Sequence, residues 1–177
     1  MELNKIEIKS NSDFSEQIGF YVSGMNEVRE QLSDAVKDLS NEEISARFTP
    51  TAHSIGQLIL HNAEAEWWWL KCVAAEKHLD EEEARREAFW DILLDEDFAK
   101  RYYSAEFCID GISKARQKCF EVLKGFNDED LDKFFGWNKE DGSRTEVTLR
   151  WILHHLIDHE AQHKGQILML KRLIRES

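Results

Sequence analysis

The chain has 177 residues, of which 42% are hydrophobic and 33% are charged, and its formal net charge at pH 7 is −12. This balance predicts one globular domain over residues 1–177 rather than a disordered chain. The excess of negative charge repels phosphate groups, so we expect neither nucleic acid nor a membrane surface as a partner. No apolar run approaches the ~20 residues that a bilayer span requires.

The cysteines and the N-terminal segment favour a reducing compartment. The chain has three cysteines, an odd number, and no Cys-x-x-Cys pair. Residues 1–12 are polar and lack the apolar run of a secretory signal. We therefore predict a cytoplasmic protein with free thiols, in which Cys72, Cys108 and Cys119 are small core residues.

Hydrophobic periodicity predicts four long helices. One proline and eight glycines occur in the whole chain, and such a scarcity of helix breakers favours helices over strands. Apolar residues recur at steps of three and four in four segments, over residues 13–39, 54–72, 104–126 and 148–174. Because each segment has one apolar face, we predict an all-α fold, a four-helix bundle.

Local patterns indicate where some helices begin. Ser40 with Glu43, and Ser54 with Gln57, have the spacing of a capping box. The second long segment also contains three consecutive tryptophans, at residues 67–69. Three adjacent side chains cannot all face one core, so we expect at least one to lie at a boundary or in the wall of a site.

Two connecting regions are less regular. Residues 76–100 contain a charge-dense run followed by a short apolar patch, and we predict a short extra helix or a loop insertion there. Between residues 127 and 147, the pair Asp141–Gly142 signals a tight turn, which suits either a small hairpin or an ordered loop. Thr148 is the predicted N-cap of the last helix.

Three histidines stand where core side chains are expected. His159 and His163 are four residues apart on the predicted last helix, so their rings lie one above the other, about 6 Å apart. His61 faces inward on a different helix. Imidazole binds zinc, nickel, copper and ferrous iron, and three protein ligands with one open position are typical of a catalytic metal site. A buried network of hydrogen-bonded imidazoles is the competing interpretation.

Other polar residues of the last segment lie near this pair. Metal-bound histidines usually donate their second N–H to an oxygen, and the candidates for that role are Asp158, Glu160 and Gln162. Gln166 lies one turn after the pair, where it is a candidate to face the metal cavity. His155 lies one turn before the pair, and its possible roles are a fourth ligand, a group beside the ligands or a proton shuttle. We place His155 beside the site rather than among the ligands, because three successive turns would stretch the ligand set along ~12 Å of helix. An ordinary surface position is the simpler interpretation of each.

Two stretches of the chain resemble the DinB family, also called the DinB/YfiT-like metalloenzymes. The first is the run Ser-Ile-Gly-Gln-Leu-Ile-Leu-His over residues 54–61. The second is His-Leu-Ile-Asp-His-Glu-Ala-Gln-His-Lys-Gly-Gln over residues 155–166. The resemblance implies a four-helix bundle with long crossover connections. It also implies one divalent metal ion per chain, zinc or nickel, held by His61, His159 and His163, and a homodimer.

The resemblance further implies a class of reaction on a small-molecule substrate. Some relatives use low-molecular-weight thiols, as bacillithiol S-transferases and mycothiol-dependent maleylpyruvate isomerase do. Our first hypothesis is therefore a metal-dependent S-transferase with a thiol such as bacillithiol. The alternatives are a metal-dependent hydrolase, with Glu160, Asp158 or His155 as its base, and a non-catalytic, metal-stabilised dimeric bundle. The sequence assigns no catalytic residue.

Overall fold

The computed structural model describes residues 5–49, 51–98, 101, 103–139 and 141–176. Its α-helices are α1 (Glu16–Val36), α2 (Asn41–Ser45), α3 (Ile55–Glu66), α4 (Glu81–Ala88), α5 (Ala105–Leu123) and α6 (Leu149–Glu176). A π-helix (Trp67–Ala74) continues α3, and two strands, β1 (Phe134–Asn138) and β2 (Arg144–Thr148), connect α5 to α6. Residues 99–100 of the predicted insertion, and both ends of the predicted domain, lie outside the described residues.

The long helices α1, α3, α5 and α6 form the predicted four-helix bundle. Helix α3 packs against α5 and α6, and α1 packs against α6. The three cysteines are free and buried, which confirms them as core residues. No helix in the described ranges combines the length and the apolar character needed to cross a membrane. The bulkiest fully buried side chains of the shared core are Trp67, Ile18, Met25, Leu32, Ile44, Ile55, Ile59, Leu60, Leu70, Ile112, Leu123 and Leu131.

The predicted helix starts are confirmed. The Ser54 hydroxyl accepts the backbone N–H of Gln57, and the Gln57 side chain accepts the backbone N–H of Ser54. Ser40 and Glu43 form the same reciprocal pair at the start of α2. The hydroxyl of Thr148 accepts a backbone N–H from the first turn of α6. These bonds satisfy amide groups that have no partner within their own helices.

The three tryptophans lie where the α-helical period ends. A π-helix has wider turns than an α-helix, so the side chains that follow Glu66 leave the stripe that α3 begins. Trp67 is 2% exposed and belongs to the core. Trp68 and Trp69 are half-buried and contact the ring of Trp137 in the hairpin. The expectation that at least one tryptophan leaves the core is therefore confirmed.

The region after the π-helix contains the short extra helix. Asp80 caps α4 by accepting the backbone N–H of Glu83 at 3.0 Å. Helix α4 buries only Ala84 and Ala88, and it packs against α5. A single-turn 3-10 helix, Ile92–Leu94, follows it. The insertion therefore adds a small layer outside the bundle instead of extending a bundle helix.

The segment that the sequence left open between a hairpin and a loop is a hairpin. Strands β1 and β2 are antiparallel, and Gly136 pairs with Glu146. A Cβ atom at Gly136 would lie 2.3 Å from the backbone oxygen of Thr145, so only glycine fits this close pairing. The ring of Trp137 lies against Trp69 with centroids 5.4 Å apart, which fixes the hairpin on the π-helix.

Candidate metal centre

Three histidine side chains converge between α3 and α6. His61 comes from α3, while His159 and His163 come from successive turns of α6. One ring nitrogen of each lies within 4.8 Å of the others. The ring centroids of His159 and His163 are 4.5 Å apart, and that of His61 lies 5.1 and 5.2 Å from them. The structure thus brings together the three residues that the sequence predicted as ligands.

Two of these rings are held by oxygen acceptors on their outer side. His61 Nδ1 lies 2.7 Å from Glu64 Oε2, and His163 Nδ1 lies 2.9 Å from Gln166 Oε1. A carboxylate and an amide oxygen can only accept, so each Nδ1 carries the hydrogen and donates it. In the neutral rings Nε2 is then left with a free lone pair. This is the tautomer that metal-binding histidines usually have.

The inner nitrogens of His159 and His163 are spaced as two ligands of one metal ion are. His159 Nε2 and His163 Nε2 are 3.2 Å apart. Two lone pairs at that distance repel each other unless a proton or a cation lies between them. Two nitrogens bound tetrahedrally to zinc, each at about 2.0–2.1 Å, lie roughly 3.3 Å from one another. The residues present therefore fit a divalent cation.

Burial favours the neutral form of the two histidines on α6. Burial lowers the pKa of His159 from 6.5 to about 3, and the neighbouring rings of His163, His61 and His155 add to the effect. Burial and then His61 also lower the pKa of His163. A neutral ring keeps the lone pair that a metal requires, and a metal does not have to compete with a proton at neutral pH.

Glu64 is a site residue that the sequence analysis missed. Its Oε2 accepts from His61, and its Oε1 accepts the backbone N–H of Asp91 at 3.2 Å. Asp91 has a left-handed backbone, with φ of 64°, in the insertion that follows α4. The sequence does contain a signal for this role, because Glu64 follows the candidate ligand His61 by three residues, a spacing at which side chains on a helix meet.

The candidates Glu160, Asp158 and Gln162 do not orient the imidazoles in this structure. The Glu160 carboxylate is 2% exposed and binds the guanidinium groups of Arg29 and Arg116. Asp158 accepts the amide N–H of Gln162 at 2.6 Å on the exposed side of α6. These three residues are next to His159 or His163 in the sequence, and neighbouring side chains on a helix point about 100° apart, so they face away from the imidazoles.

Four charged residues form a buried ion cluster, with one contributed by each long helix. They are Arg29 of α1, Glu66 of α3, Arg116 of α5 and Glu160 of α6. Arg29 Nη2 lies 2.8 Å from Glu66 Oε1, and Arg116 Nη2 lies 2.6 Å from Glu160 Oε2. Burial opposes the ionisation of Glu160, but Arg116 and Arg29 together hold its pKa below the usual range. Two positive and two negative groups balance, so the charges are stable inside the bundle.

His155 lies beside the three histidines and between two indoles. Its ring stacks on Trp151, with centroids 4.7 Å apart and planes inclined by 6°. The edge of Trp69 meets it at 5.2 Å, and its centroid lies 5.8 Å from that of His159. Its position is next to the predicted ligands, as expected, while its nitrogens do not join their group.

The fold and the site together define a class, the DinB/YfiT-like four-helix bundles. A DinB-like protein from Bacillus cereus ATCC 10987 is similar over 89% of this chain and 92% of its own, with a TM-score of 0.62 and 20% identity. A conserved protein from Enterococcus faecalis is similar over 91% of this chain and 97% of its own, with a TM-score of 0.63 and 15% identity. YfiT from Bacillus subtilis is similar over 97% of this chain and 93% of its own, with a TM-score of 0.62 and 15% identity. It is described as a probable metal-dependent hydrolase with an unusual four-helix bundle topology. Because the sequence identities are 20% or lower, these similarities show a shared fold.

A sequence comparison gives the family. The model of the mycothiol-S-transferase family matches residues 22–176, which contain all three histidines of the cluster. The chain belongs to this family. No curated protein matches it. The predicted resemblance to the DinB family is thereby confirmed.

Proposed function

We propose that this protein is a metal-dependent S-transferase that joins a low-molecular-weight thiol to an electrophilic small molecule. The observation that carries the proposal is the set of three imidazoles whose ring nitrogens lie within 4.8 Å of one another, in a chain of the mycothiol-S-transferase family. A divalent cation bound there, zinc or nickel, would lower the pKa of a thiol and so supply a thiolate at neutral pH.

The chain's own residues would hold and orient the reacting groups. His61, His159 and His163 offer lone pairs to the cation, while Glu64 and Gln166 fix two of the rings by accepting their Nδ1 hydrogens. An open coordination position is then left for the thiol. In this proposal no described side chain has to act as a nucleophile.

The protein's own cysteines are poor candidates for the nucleophile. Burial raises the pKa of Cys72 to about 11 and that of Cys108 to about 12, and it raises the pKa of Cys119 well above the ordinary value. A thiol has to ionise before it attacks. The nucleophilic sulfur is therefore better supplied by a separate cosubstrate.

The family description favours mycothiol as that cosubstrate. Bacillithiol is the example of a thiol that the resemblance implies, whereas the matching family is described by mycothiol. We propose mycothiol as the first thiol to test and bacillithiol as the second. Both present a single reactive thiol to the metal centre.

The test combines metal content with thiol conjugation. Untagged protein and the variants His61→Ala and His159→Ala are compared by mass spectrometry, with His154→Ala as the control because His154 is exposed on the same helix. We expect one divalent ion per chain in the wild type and the control, and none in the two variants. The same samples are assayed for the displacement of chloride from 1-chloro-2,4-dinitrobenzene by mycothiol. Equal rates with and without the metal-loaded protein would contradict the proposal.

Metal-dependent hydrolysis is the second candidate, because the structurally similar YfiT is described as a probable metal-dependent hydrolase. Of the bases considered, Glu160 and Asp158 are bound to other side chains, which leaves His155. Cleavage of p-nitrophenyl acetate that chelation abolishes would favour this function. A non-catalytic bundle would instead lose thermal stability on metal removal and show neither activity.

We also propose that the protein forms a homodimer. Two apolar side chains, Phe20 and Ile8, are 45% and 51% exposed and line the same cavity, which is bordered by α1 and by Ile157 of α6. Exposed apolar surface of this kind is often covered by a partner. Light scattering coupled to gel filtration gives the mass directly, and a mass of one chain at all concentrations would contradict the dimer.

A further inference from the structure

A cavity of about 660 Å³ lies between the π-helix and the hairpin. The π-helix lines it with Trp68 and Cys72, and the hairpin lines it with Trp137, Asn138 and Arg144. Residues 76–79, which follow the π-helix, line it as well. Its volume falls within the range of sites that bind small molecules.

Two indoles form a corner in this cavity. The rings of Trp68 and Trp137 have centroids 6.4 Å apart and planes inclined by 77°. A ring that lies flat on one indole therefore meets the other from the side. Indole faces carry partial negative charge, and they attract the partially positive C–H groups of a saturated ring whose carbons bear hydroxyls.

The polar part of the cavity has no large excess of charge. The Arg144 guanidinium lies 2.9 Å from Glu76 Oε1 and 2.9 Å from Glu146 Oε1. The charge of Arg144 is therefore already matched by two carboxylates. The exposed side chains of Lys77 and Asn138 add donors and an acceptor. Such a mixture suits hydroxyl groups, each of which both donates and accepts.

A chain of ring contacts joins the cavity to the metal centre. Trp137 meets Trp69 at 5.4 Å, Trp69 meets His155 at 5.2 Å, and His155 meets His159 at 5.8 Å. Two adjacent residues of the π-helix therefore lie in different sites: Trp68 lines the cavity, and Trp69 lies beside the metal centre. Trp69 and His155 are half-buried, so a flexible arm that runs over their exposed sides would connect the cavity to the metal centre.

We propose that this cavity binds the hydroxyl-bearing ring body of the thiol cosubstrate on the faces of Trp68 and Trp137, while its thiol arm extends to the metal centre. The inference rests on the proposed function, and it identifies the part of the protein that selects the thiol. Selection comes from the ring body, because the metal centre itself recognises only sulfur.

The experiment measures binding without reaction. S-methylmycothiol, whose blocked sulfur cannot ionise, is titrated into the metal-loaded protein by calorimetry. Trp137→Ala should weaken binding about tenfold or more, through the loss of one aromatic face. Phe134→Ala is the matched control, since Phe134 is 67% exposed on the same strand, and it should change affinity by less than about twofold. Trp68→Leu tests the other wall and leaves both strands intact, in case the Trp137 variant loosens the hairpin.

The outcomes separate this inference from the proposed function. If both tryptophan variants bind S-methylmycothiol as the wild type does, or if the wild type does not bind it, the cavity inference is wrong. If mycothiol is conjugated with a KM that neither variant changes, the S-transferase function stands and the cavity inference fails. If the tryptophan-dependent binding is found without any thiol conjugation, the cavity is a binding site for the ring body of the thiol, but the proposed S-transferase function fails.

Discussion

Glu64 connects a predicted metal ligand to a peripheral segment of the chain. Its Oε2 lies 2.7 Å from His61 Nδ1, and its Oε1 accepts the backbone N–H of Asp91 at 3.2 Å. Both oxygens of the Glu64 carboxylate are therefore held by hydrogen bonds. The insertion between the π-helix and α5 thus contributes to the orientation of an imidazole in the bundle, although it supplies no ligand itself.

The substitution Glu64→Gln should weaken metal binding. It removes the negative charge that makes the His61 ring a stronger ligand, and changes of this kind typically cost about 10–100-fold in affinity. Competition with a chromophoric chelator measures the change. Glu82→Gln, at an exposed position in α4, serves as the control. Equal affinity in the Glu64 variant and the wild type would show that this carboxylate does not act on the metal centre.

Gln166→Ala should have a smaller effect of the same kind. Its side chain accepts the Nδ1 hydrogen of His163, and without it that ring can adopt the other tautomer. We expect roughly a tenfold loss of metal affinity. Gln162→Ala is the matched control, because Gln162 is exposed on the same helix and binds Asp158 instead. Identical losses in both glutamine variants would point to a general effect on α6.

Arg116→Met should destabilise the fold through the buried ion cluster. It leaves the Glu66 and Glu160 carboxylates with Arg29 as their one guanidinium partner, and breaking a buried pair in this way costs about 3–5 kcal/mol. Urea unfolding measures the free energy. Adding Glu66→Gln should recover part of the loss, since the charges then balance again.

The matched control for this prediction is an exposed ion pair. Arg85 binds Glu81 on the outer face of α4, and Arg85→Met should cost less than about 1 kcal/mol. A loss for Arg116→Met as small as that for Arg85→Met would mean that the buried cluster contributes little to the stability of the bundle.

The metal-free protein should lose stability as the pH falls from 6.5 towards 3. Burial lowers the pKa of His159 from 6.5 to about 3, so below pH 6.5 the unfolded chain binds a proton there that the folded protein does not. Stability then decreases as the pH falls. Urea unfolding at several pH values measures this slope, and His159→Gln should make it shallower. His78→Gln, an exposed position, should leave it unchanged. The same slope in all three proteins would contradict a neutral, buried His159.

The cysteines should not react in the folded protein. Burial raises the pKa of Cys72 to about 11 and of Cys108 to about 12, so at pH 8 almost no thiolate is present or accessible. We expect no colour with a disulfide reagent such as DTNB in native buffer, and three thiols per chain after unfolding in urea. Rapid reaction of one thiol in the folded state would reopen the possibility of a protein nucleophile.

The sequence by itself determined the helices and the three candidate ligands. The steps of three and four, the capping pairs such as Ser54 with Gln57, and the four-residue spacing of His159 and His163 are all local patterns. A helix converts such spacing directly into a shared face, so these features need no knowledge of the rest of the chain. His61 could be added because its own helix places it on an apolar stripe.

The tertiary structure alone decided what surrounds those ligands. Arg29, Glu66, Arg116 and Glu160 lie far apart in the chain, and they form a cluster because a buried charge is stable only beside partners that other helices supply. Because of the helical period, Glu160 points away from the imidazoles. The hydrogen bond from Asp91 to Glu64 forms because the insertion folds back onto α3. Local spacing fixes which side chains share a face, but only packing fixes which faces meet.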